Sequence, residues 1–209
     1  MRRCKLCLSP RGYTCLAMVI GCLTAITSLA QHGPAEHQEL PGSAFTETSL
    51  YQVTSTWLTA AEQPIRLGAL QGKVQVLAMF YTTCENACPL LVSIMQQIEA
   101  ALPADLQPQV GFILVTFDPE HDTPPILRAY REKRHLDSQH WTLLHGQPDA
   151  VLELAVLLGV NYTKGLWGGF AHTNLMTVLN KQGEIVHRHE GLQTRIEDTL
   201  AAIRHAVQD

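Results

Sequence analysis

Beyond residue 22 the sequence has only two cysteines, Cys84 and Cys88. The other four of its six cysteines lie within the first 22 residues, so no disulfide framework is spread through the chain. The sequence also lacks the C-x-x-C-H signature of haem attachment. It has no second Cys/His pair spaced to complete the four-ligand set of a structural zinc site. Internal repeats and low-complexity segments are absent, and the chain is too short for two ordinary domains.

Basic residues are scarce once the N-terminus is set aside. Removing residues 1–30 takes away four of the 15 Lys and Arg residues and none of the 19 Asp and Glu residues. The remaining 11 basic and 19 acidic residues give a formal charge of −8 with His neutral. Such an acidic surface argues against nucleic acid as a partner and gives no reason for binding to anionic membranes. It suits a basic protein partner or a cation.

Residues 1–30 have the pattern of a secretory signal. A basic stretch precedes an apolar run from Cys15 to Leu29, and Ser28-Leu29-Ala30 forms a small-x-small cleavage site. Two alternatives stay open: the run, short for a complete membrane span, is retained as an N-terminal anchor, or Cys22 is lipidated. All three outcomes place the rest of the chain outside the cytoplasm, in the periplasm, either soluble or tethered to the inner membrane.

The rest of the chain divides into a flexible tether, residues 31–48, and one domain, residues 49–209. In that domain predicted strands alternate with predicted helices. We predict a β region within Tyr51–Leu67; strands Val74–Phe80, Val110–Phe117 and Trp141–Leu144; helices Pro89–Leu102, 124–134, Pro148–Leu158 and Thr194–Val207; and a hairpin of Thr173–Leu179 with Glu184–Arg188. Such alternation indicates an α/β fold with a mixed sheet flanked by helices. A cysteine pair after the first long strand, with a late hairpin and helix, is the thioredoxin arrangement, here with an N-terminal β extension.

The two cysteines lie between a buried strand and a predicted helix, in Thr83-Cys84-Glu85-Asn86-Ala87-Cys88-Pro89. Such a pair can close a disulfide or hold a soft metal ion, and both interpretations stay open. A nearby helix N-terminus lowers a thiol pKa, so we expect at least one thiol to deprotonate readily. The C-x-x-x-C spacing lets both sulfurs face one ion, and thiolates prefer copper(I) and zinc. A third ligand must then come from elsewhere.

Among the ten histidines, His172 is the strongest candidate for that ligand. It follows the glycine- and aromatic-rich segment 164–170, whose glycines allow the loop to move, and it begins a predicted strand next to the cysteine loop. His187 and His189 alternate along a strand and therefore share a face. They could form a second metal patch, although solvent-exposed surface side chains are the simpler interpretation.

The second buried strand is followed by Asp118-Pro119-Glu120-His121-Asp122-Thr123-Pro124. This segment is expected at the same edge of the sheet as the cysteine loop. Turn and helix-cap chemistry explains Asp122 to Pro124. Two interpretations stay open for Asp118: turn chemistry, or a carboxylate that tunes or orients the cysteine loop.

Together these residues resemble the Sco/SenC family of copper-binding, thioredoxin-like proteins, over roughly residues 49–205. Three motifs carry the resemblance: Thr83-Cys84-x-x-x-Cys88-Pro89, Asp118-Pro119-Glu120-x-Asp122-Thr123-Pro124, and His172. The resemblance implies one copper ion per chain, Cu(I) or Cu(II), bound by Cys84, Cys88 and His172. It also implies that Cys84 and Cys88 can form a redox-active disulfide. Many family members have an acidic residue before the histidine, where this chain has Ala171, so carboxylate assistance to His172 is not implied.

The family resemblance implies a copper chaperone that assists assembly of the dinuclear copper centre of cytochrome c oxidase. The implied partners are the copper-centre subunit of that oxidase, or another copper protein, and a thiol–disulfide reductant. The alternative is a thiol–disulfide oxidoreductase that reduces the cysteines of a partner copper protein. A peroxidase is disfavoured, because such enzymes place Thr or Ser three residues before the reactive cysteine, where this chain has Tyr81.

Overall fold

A computed structural model describes residues 45–165, 169–193 and 195–209. The predicted leader with Cys22, most of the predicted tether, and residues 166–168 and 194 lie outside this part of the chain. Within the described ranges, no helix combines the length and the apolar character needed to span a membrane.

The described residues form nine strands and four α-helices. The strands are β1 (Thr56–Thr59), β2 (Pro64–Arg66), β3 (Val74–Phe80), β4 (Val110–Thr116), β5 (Trp141–His145), β6 (Tyr162–Lys164), β7 (Phe170–His172), β8 (Leu175–Leu179) and β9 (Ile185–Glu190). The helices are α1 (Ala87–Ala101), α2 (Pro124–Lys133), α3 (Pro148–Leu158) and α4 (Glu197–Gln208).

Seven of the strands form one mixed sheet in the order β2-β1-β5-β4-β3-β8-β9. The central strands β3, β4 and β5 are parallel, and the flanking pairings are antiparallel. Strands β6 and β7 form a separate antiparallel pair. The prediction of a mixed sheet in a thioredoxin-like α/β fold is confirmed.

Strands β3 and β4 are the centre of the core, and every residue in both is buried. Parallel strands connected by helices are covered on both faces, which explains their nearly continuous apolar sequences. The two strands pair in register from Val74 with Val110 to Phe80 with Thr116. They therefore end at the same edge of the sheet, and the loops that follow them are neighbours.

Helix α1 begins at Ala87, two residues earlier than predicted, so that Pro89 is its third residue. Proline is tolerated throughout a first helical turn, because the amides there have no intrahelical partner. Cys88 consequently lies inside the first turn, while Cys84 lies in the loop before it.

The predicted β region begins later than expected, because Leu50–Gln52 form a 3₁₀ turn and not a strand. The side chain of Ser49 accepts a hydrogen bond from the amide of Tyr51 and so caps this turn. Tyr51 is buried and lies against the turn at Gly183. Burial of the Tyr51 ring and the Ser49 cap both stabilise this turn where a strand was expected.

The environment of His172 also differs from the prediction. His172 does not begin the strand of the late hairpin; it ends β7, which pairs with β6. The amide of Thr173 donates to the carbonyl of Asn161, so the backbone between β7 and β8 is bonded to the β6 side. The short β6–β7 pair carries His172, and sequence periodicity gave no sign of it because each strand has only three residues.

Candidate metal centre

The three predicted ligands lie together at the edge of the sheet. One ligand atom from each of Cys84, Cys88 and His172 lies within 4.8 Å of the others. The Sγ atom of Cys88 is 3.8 Å from Nε2 of His172. Two ligands bound to one ion with bonds of about 2.0 and 2.3 Å lie less than about 4.3 Å apart. The side chains are therefore near enough to bind a metal ion.

The two cysteines differ in their surroundings. Both are free thiols, but Cys88 is 1% exposed while Cys84 is partly exposed. The amide of Cys88 donates a hydrogen bond to Sγ of Cys84 at 3.3 Å. Amides at a helix start have no partner within the helix, and here one of them is directed at a sulfur.

Cys84 is the more acidic thiol. Burial alone would raise its pKa, but hydrogen bonds from the amide and thiol of Cys88, the amide of Asn86 and the hydroxyl of Tyr81 lower the pKa below its usual range. Burial raises the pKa of Cys88 well above its usual range, and the neighbouring charges of Cys84 and Asp122 raise it further. The expectation of one readily deprotonated thiol therefore holds for Cys84 alone.

The ring of His172 is oriented by its second nitrogen. Nδ1 lies 3.3 Å from the carbonyl oxygen of Thr173, which can only accept a hydrogen bond. In the neutral imidazole Nδ1 must then carry the proton, and the lone pair of Nε2 faces Cys88. A backbone carbonyl that fixes the tautomer in this way is typical of histidines that bind metals.

The ring of His172 packs against an aromatic cluster. The ring centroid of His172 lies 5.1 Å from that of Phe117 and 6.0 Å from that of Tyr81. Phe170 packs against both of those rings at 5.1 Å. The amide of Phe170 also donates to the hydroxyl of Tyr81 at 3.4 Å. Tyr81 thus contacts the loop that carries His172 and also Cys84.

Asp122 has a role that the sequence interpretation missed. Its fully buried carboxylate accepts hydrogen bonds from the amide of Thr82 at 3.0 Å, from the hydroxyl of Thr82, and from the hydroxyl of Thr116 at 2.6 Å. The interpretation of Asp122 as a helix cap is therefore wrong. It joins the cysteine loop to the loop after β4. Burial raises the pKa of Asp122 despite these hydrogen bonds.

The side chain of Asp118 makes a different contact. Its two carboxylate oxygens lie 3.1 and 3.0 Å from Nδ1 of His121. Asp122, and not Asp118, is the carboxylate that hydrogen-bonds to the cysteine loop. The sequence does not show this difference between Asp118 and Asp122, because the difference depends on the register that brings Thr82 beside Asp122.

His187 and His189 share a face of β9, as their spacing predicts. Both are half-buried against α4, where Nε2 of His187 and Nδ1 of His189 lie 3.1 and 3.3 Å from the hydroxyl of Thr199. They are packed polar side chains and not the freely solvated residues expected from sequence. In the part of the chain that is described, no third metal-ligating side chain joins them.

Comparison with known proteins identifies a family and a copper-binding relative. The SCO1/SenC family model matches residues 46–208. A Stutzerimonas stutzeri protein described as copper-binding is 35% identical over 69 residues, which are 33% of this chain and 34% of that protein. The chain thus matches about a third of the length of this curated relative.

Two solved structures share the fold. ScoI of Bradyrhizobium japonicum, solved with copper bound, is 22% identical, with a TM-score of 0.61 over 73% of this chain and 96% of that one. BsSco, described as having a disulfide switch and as a member of the Sco family of cytochrome c oxidase assembly proteins, is 21% identical, with a TM-score of 0.65 over 73% of this chain and 91% of that one. The family match covers most of the described domain, and the chain belongs to the SCO1/SenC family.

Proposed function

We propose that this protein binds one copper ion through Cys84, Cys88 and His172 and delivers it to a copper protein. The observation that carries the proposal is the convergence of the three ligand atoms within 4.8 Å. Copper is named in the descriptions of the Stutzerimonas relative and of the Bradyrhizobium structure. The proposed recipient is the dinuclear copper centre of cytochrome c oxidase, supported by the family to which BsSco is assigned.

The donor set suits copper(I). Two thiolates are soft ligands and an imidazole is intermediate, a combination that favours copper(I). Zinc in a structural site prefers four protein ligands, and only three converge here among the described residues. Cys84 and His172 are partly exposed while Cys88 is buried. The thiolates of a recipient protein can therefore approach the ion from the side of Cys84 and His172.

Copper delivery would depend on the redox state of the protein. A disulfide between Cys84 and Cys88 removes both sulfur ligands, so the protein must be kept reduced by a thiol–disulfide reductant. The proposed location is the periplasm, with soluble or membrane-tethered forms both open, and the support for it is the signal-like sequence of residues 1–30.

The difference between the thiols favours one second function, reduction of a partner disulfide. Cys84 is partly exposed and has the lowered pKa, as an attacking thiolate requires. Its sulfur would attack the partner disulfide and release one partner thiolate. The buried Cys88, once deprotonated, would attack the mixed disulfide and release the second. The partner becomes a dithiol and the protein a Cys84–Cys88 disulfide.

Anaerobic competition with a copper(I) chelator tests the proposal. The reduced protein should hold one copper per chain, Cys84→Ser should abolish that binding, and His172→Ala should weaken it about tenfold or more. His205→Ala, at an exposed histidine on α4, serves as the control and should bind as the parent does. Copper binding that is absent, or that is indifferent to His172, would contradict the proposal and leave disulfide reduction as the function.

A further inference from the structure

A second group of metal-ligating side chains lies on the loop between β4 and α2. One ligand atom from each of Asp118, Glu120 and His121 lies within 4.8 Å of the others. The three residues come from one four-residue stretch, and none of them belongs to the cysteine–histidine centre. Carboxylate oxygens and an imidazole nitrogen are harder donors than thiolates, so this group has a different metal preference from the cysteines.

The spacing of Asp118 and His121 matches that of two ligands of one ion. Nδ1 of His121 lies 3.0 and 3.1 Å from the two oxygens of Asp118. Two ligands with bonds of about 2.1 Å are separated by about 3.0 Å at the right angle of a tetragonal copper(II) site and by about 3.4 Å at the tetrahedral angle of zinc(II). An ion can therefore replace the shared hydrogen between these groups with little movement of either side chain.

The loop holds Asp118 in place before any ion binds. The side chain of Asp118 is 7% exposed. Its amide donates to the hydroxyl of Thr116, and its carbonyl accepts from the amides of His121 and Asp122. The side chain of His121 is 62% exposed and gives an ion access to the buried carboxylate. A buried carboxylate is one that a protein pairs with a cation or a metal.

Local charge favours a cation at this loop. Three acidic residues, Asp118, Glu120 and Asp122, lie on it, and Lys164 on β6 forms an ion pair with one of them, Glu120. Nζ of Lys164 is 2.9 Å from Glu120, with both side chains more than half exposed. An exposed ion pair of this kind contributes about 0–1 kcal/mol, so a divalent ion can displace Lys164 at small cost.

The loop also borders an open cleft that leaves space around an ion. This cleft has a volume of about 210 Å³, and Asp118, Glu120 and Lys164 are among its lining residues, with Phe117 and Phe170 forming part of its apolar wall. An ion held by three protein ligands can complete its coordination with water from this cleft. Phe117 lines the cleft and also packs against His172.

We propose that Asp118, Glu120 and His121 form a second metal site, separate from the copper centre, for a borderline divalent cation of the zinc(II) or copper(II) class. With this site, the protein would bind a second metal ion in addition to the copper(I) of the cysteine centre. Because its donors are oxygen and nitrogen, it does not depend on the cysteines being reduced.

Zinc(II) titration of a Cys84→Ser/Cys88→Ser double variant tests the second site in the absence of the sulfur ligands. Isothermal calorimetry should show one zinc(II) per chain. The further substitution His121→Ala should weaken this binding about tenfold or more. His205→Ala is the matched control, because Nδ1 of His205 also lies 2.9 Å from a carboxylate, that of Asp209, but no third ligand joins this pair among the residues that the structure describes. That variant should bind zinc(II) unchanged.

The substitution Lys164→Met, made in the same double variant, provides a second test that does not remove a proposed ligand. Removing the cation that competes for Glu120 should tighten zinc(II) binding several-fold, a gain that general damage to the fold would not produce. Zinc(II) binding that is absent, that persists in the His121→Ala variant, or that is unaffected by Lys164→Met would overturn the proposal. The result does not depend on the copper(I) experiment, because the double variant lacks both sulfur ligands proposed for copper and keeps only His172 of that centre.

Discussion

The substitution Tyr81→Phe tests how the structure sets the reactivity of Cys84. It removes one hydroxyl and keeps the ring that packs against Phe117, Phe170 and His172. The hydroxyl is one of the hydrogen-bond donors that lower the pKa of Cys84. The pKa of Tyr81 itself is raised, mainly by burial, so this hydroxyl stays protonated and remains a donor at neutral pH.

The expected size of the effect follows from that hydrogen bond. A hydrogen bond to a charged group contributes about 1.5–3 kcal/mol, and one pKa unit corresponds to about 1.4 kcal/mol. We therefore expect the pKa of Cys84 to rise in Tyr81→Phe, because its thiolate loses one hydrogen-bond donor. At a pH below this pKa, the thiolate fraction should fall about tenfold for each 1.4 kcal/mol of lost stabilisation. Tyr81→Phe also removes the hydrogen bond that the amide of Phe170 donates to the Tyr81 hydroxyl, but at 3.4 Å this bond is long, and its loss should affect Cys84 little.

The assay is the pH dependence of iodoacetamide alkylation of the reduced protein, with the modified cysteine located by mass spectrometry. Tyr162→Phe is the matched control: Tyr162 stacks on Phe117 in the same cluster, and its pKa is raised by burial, with no cysteine among the causes. The control should leave the alkylation profile of Cys84 unchanged. A Tyr81→Phe variant that is folded and whose Cys84 titrates as in the parent would show that the Tyr81 hydroxyl does not lower the pKa of Cys84.

Three further predictions concern stability, measured by urea unfolding. Asp122→Ala leaves Thr82 and Thr116 with unpaired donors and should lower the free energy of unfolding by about 3 kcal/mol, whereas Asp105→Ala on the surface should change it by less than about 0.5 kcal/mol; equal losses would contradict this role. Gly183→Ala places a Cβ 2.5 Å from the ring of Tyr51 at a φ of +84° and should cost about 2–4 kcal/mol. Gly159→Ala, at a φ of +80° with open space around it, should cost only about 1 kcal/mol, and a similar cost at both glycines would argue against the clash. Burial raises the pKa of Asp122, so the folded state favours the protonated carboxyl more than the unfolded state does. The stability that this difference contributes is fully present below the ordinary carboxyl pKa. It is lost as the pH rises through the pKa of Asp122 in the folded state. Between these two pKa values, the free energy of unfolding of the parent should therefore decline with pH relative to that of Asp122→Asn. Parallel pH profiles for the two proteins would show that the pKa of Asp122 is not raised in the folded state.

Elements with strong local signals could be predicted from sequence. Strand β3 matches its prediction because Val74–Phe80 is a nearly unbroken apolar run. Helix α3 matches because Pro148 suits its first turn and Gly159 ends it in a left-handed conformation. Cys84, Cys88 and His172, which the cysteine spacing and the position of His172 after a glycine-rich loop single out in the sequence, also lie together in the structure.

Features that depend on tertiary contacts could not be predicted. The buried role of Asp122 requires the pairing of β3 with β4, which brings Thr82 and Thr116 to the same carboxylate. The β6–β7 pair is too short to leave a periodic pattern, so the strand that carries His172 was placed wrongly. The unequal pKa values of Cys84 and Cys88 follow from burial and individual hydrogen bonds, which spacing alone does not determine.

The proposed copper centre holds one ion through two sulfurs and one imidazole. X-ray absorption at the copper K edge, on the reduced protein loaded with one equivalent of copper(I), measures this ligand set directly. The spectrum should show two sulfur ligands and one imidazole nitrogen, with the nitrogen lost in His172→Ala and retained in His205→Ala. A sulfur-only spectrum that His172→Ala leaves unchanged would rule out His172 as a copper ligand.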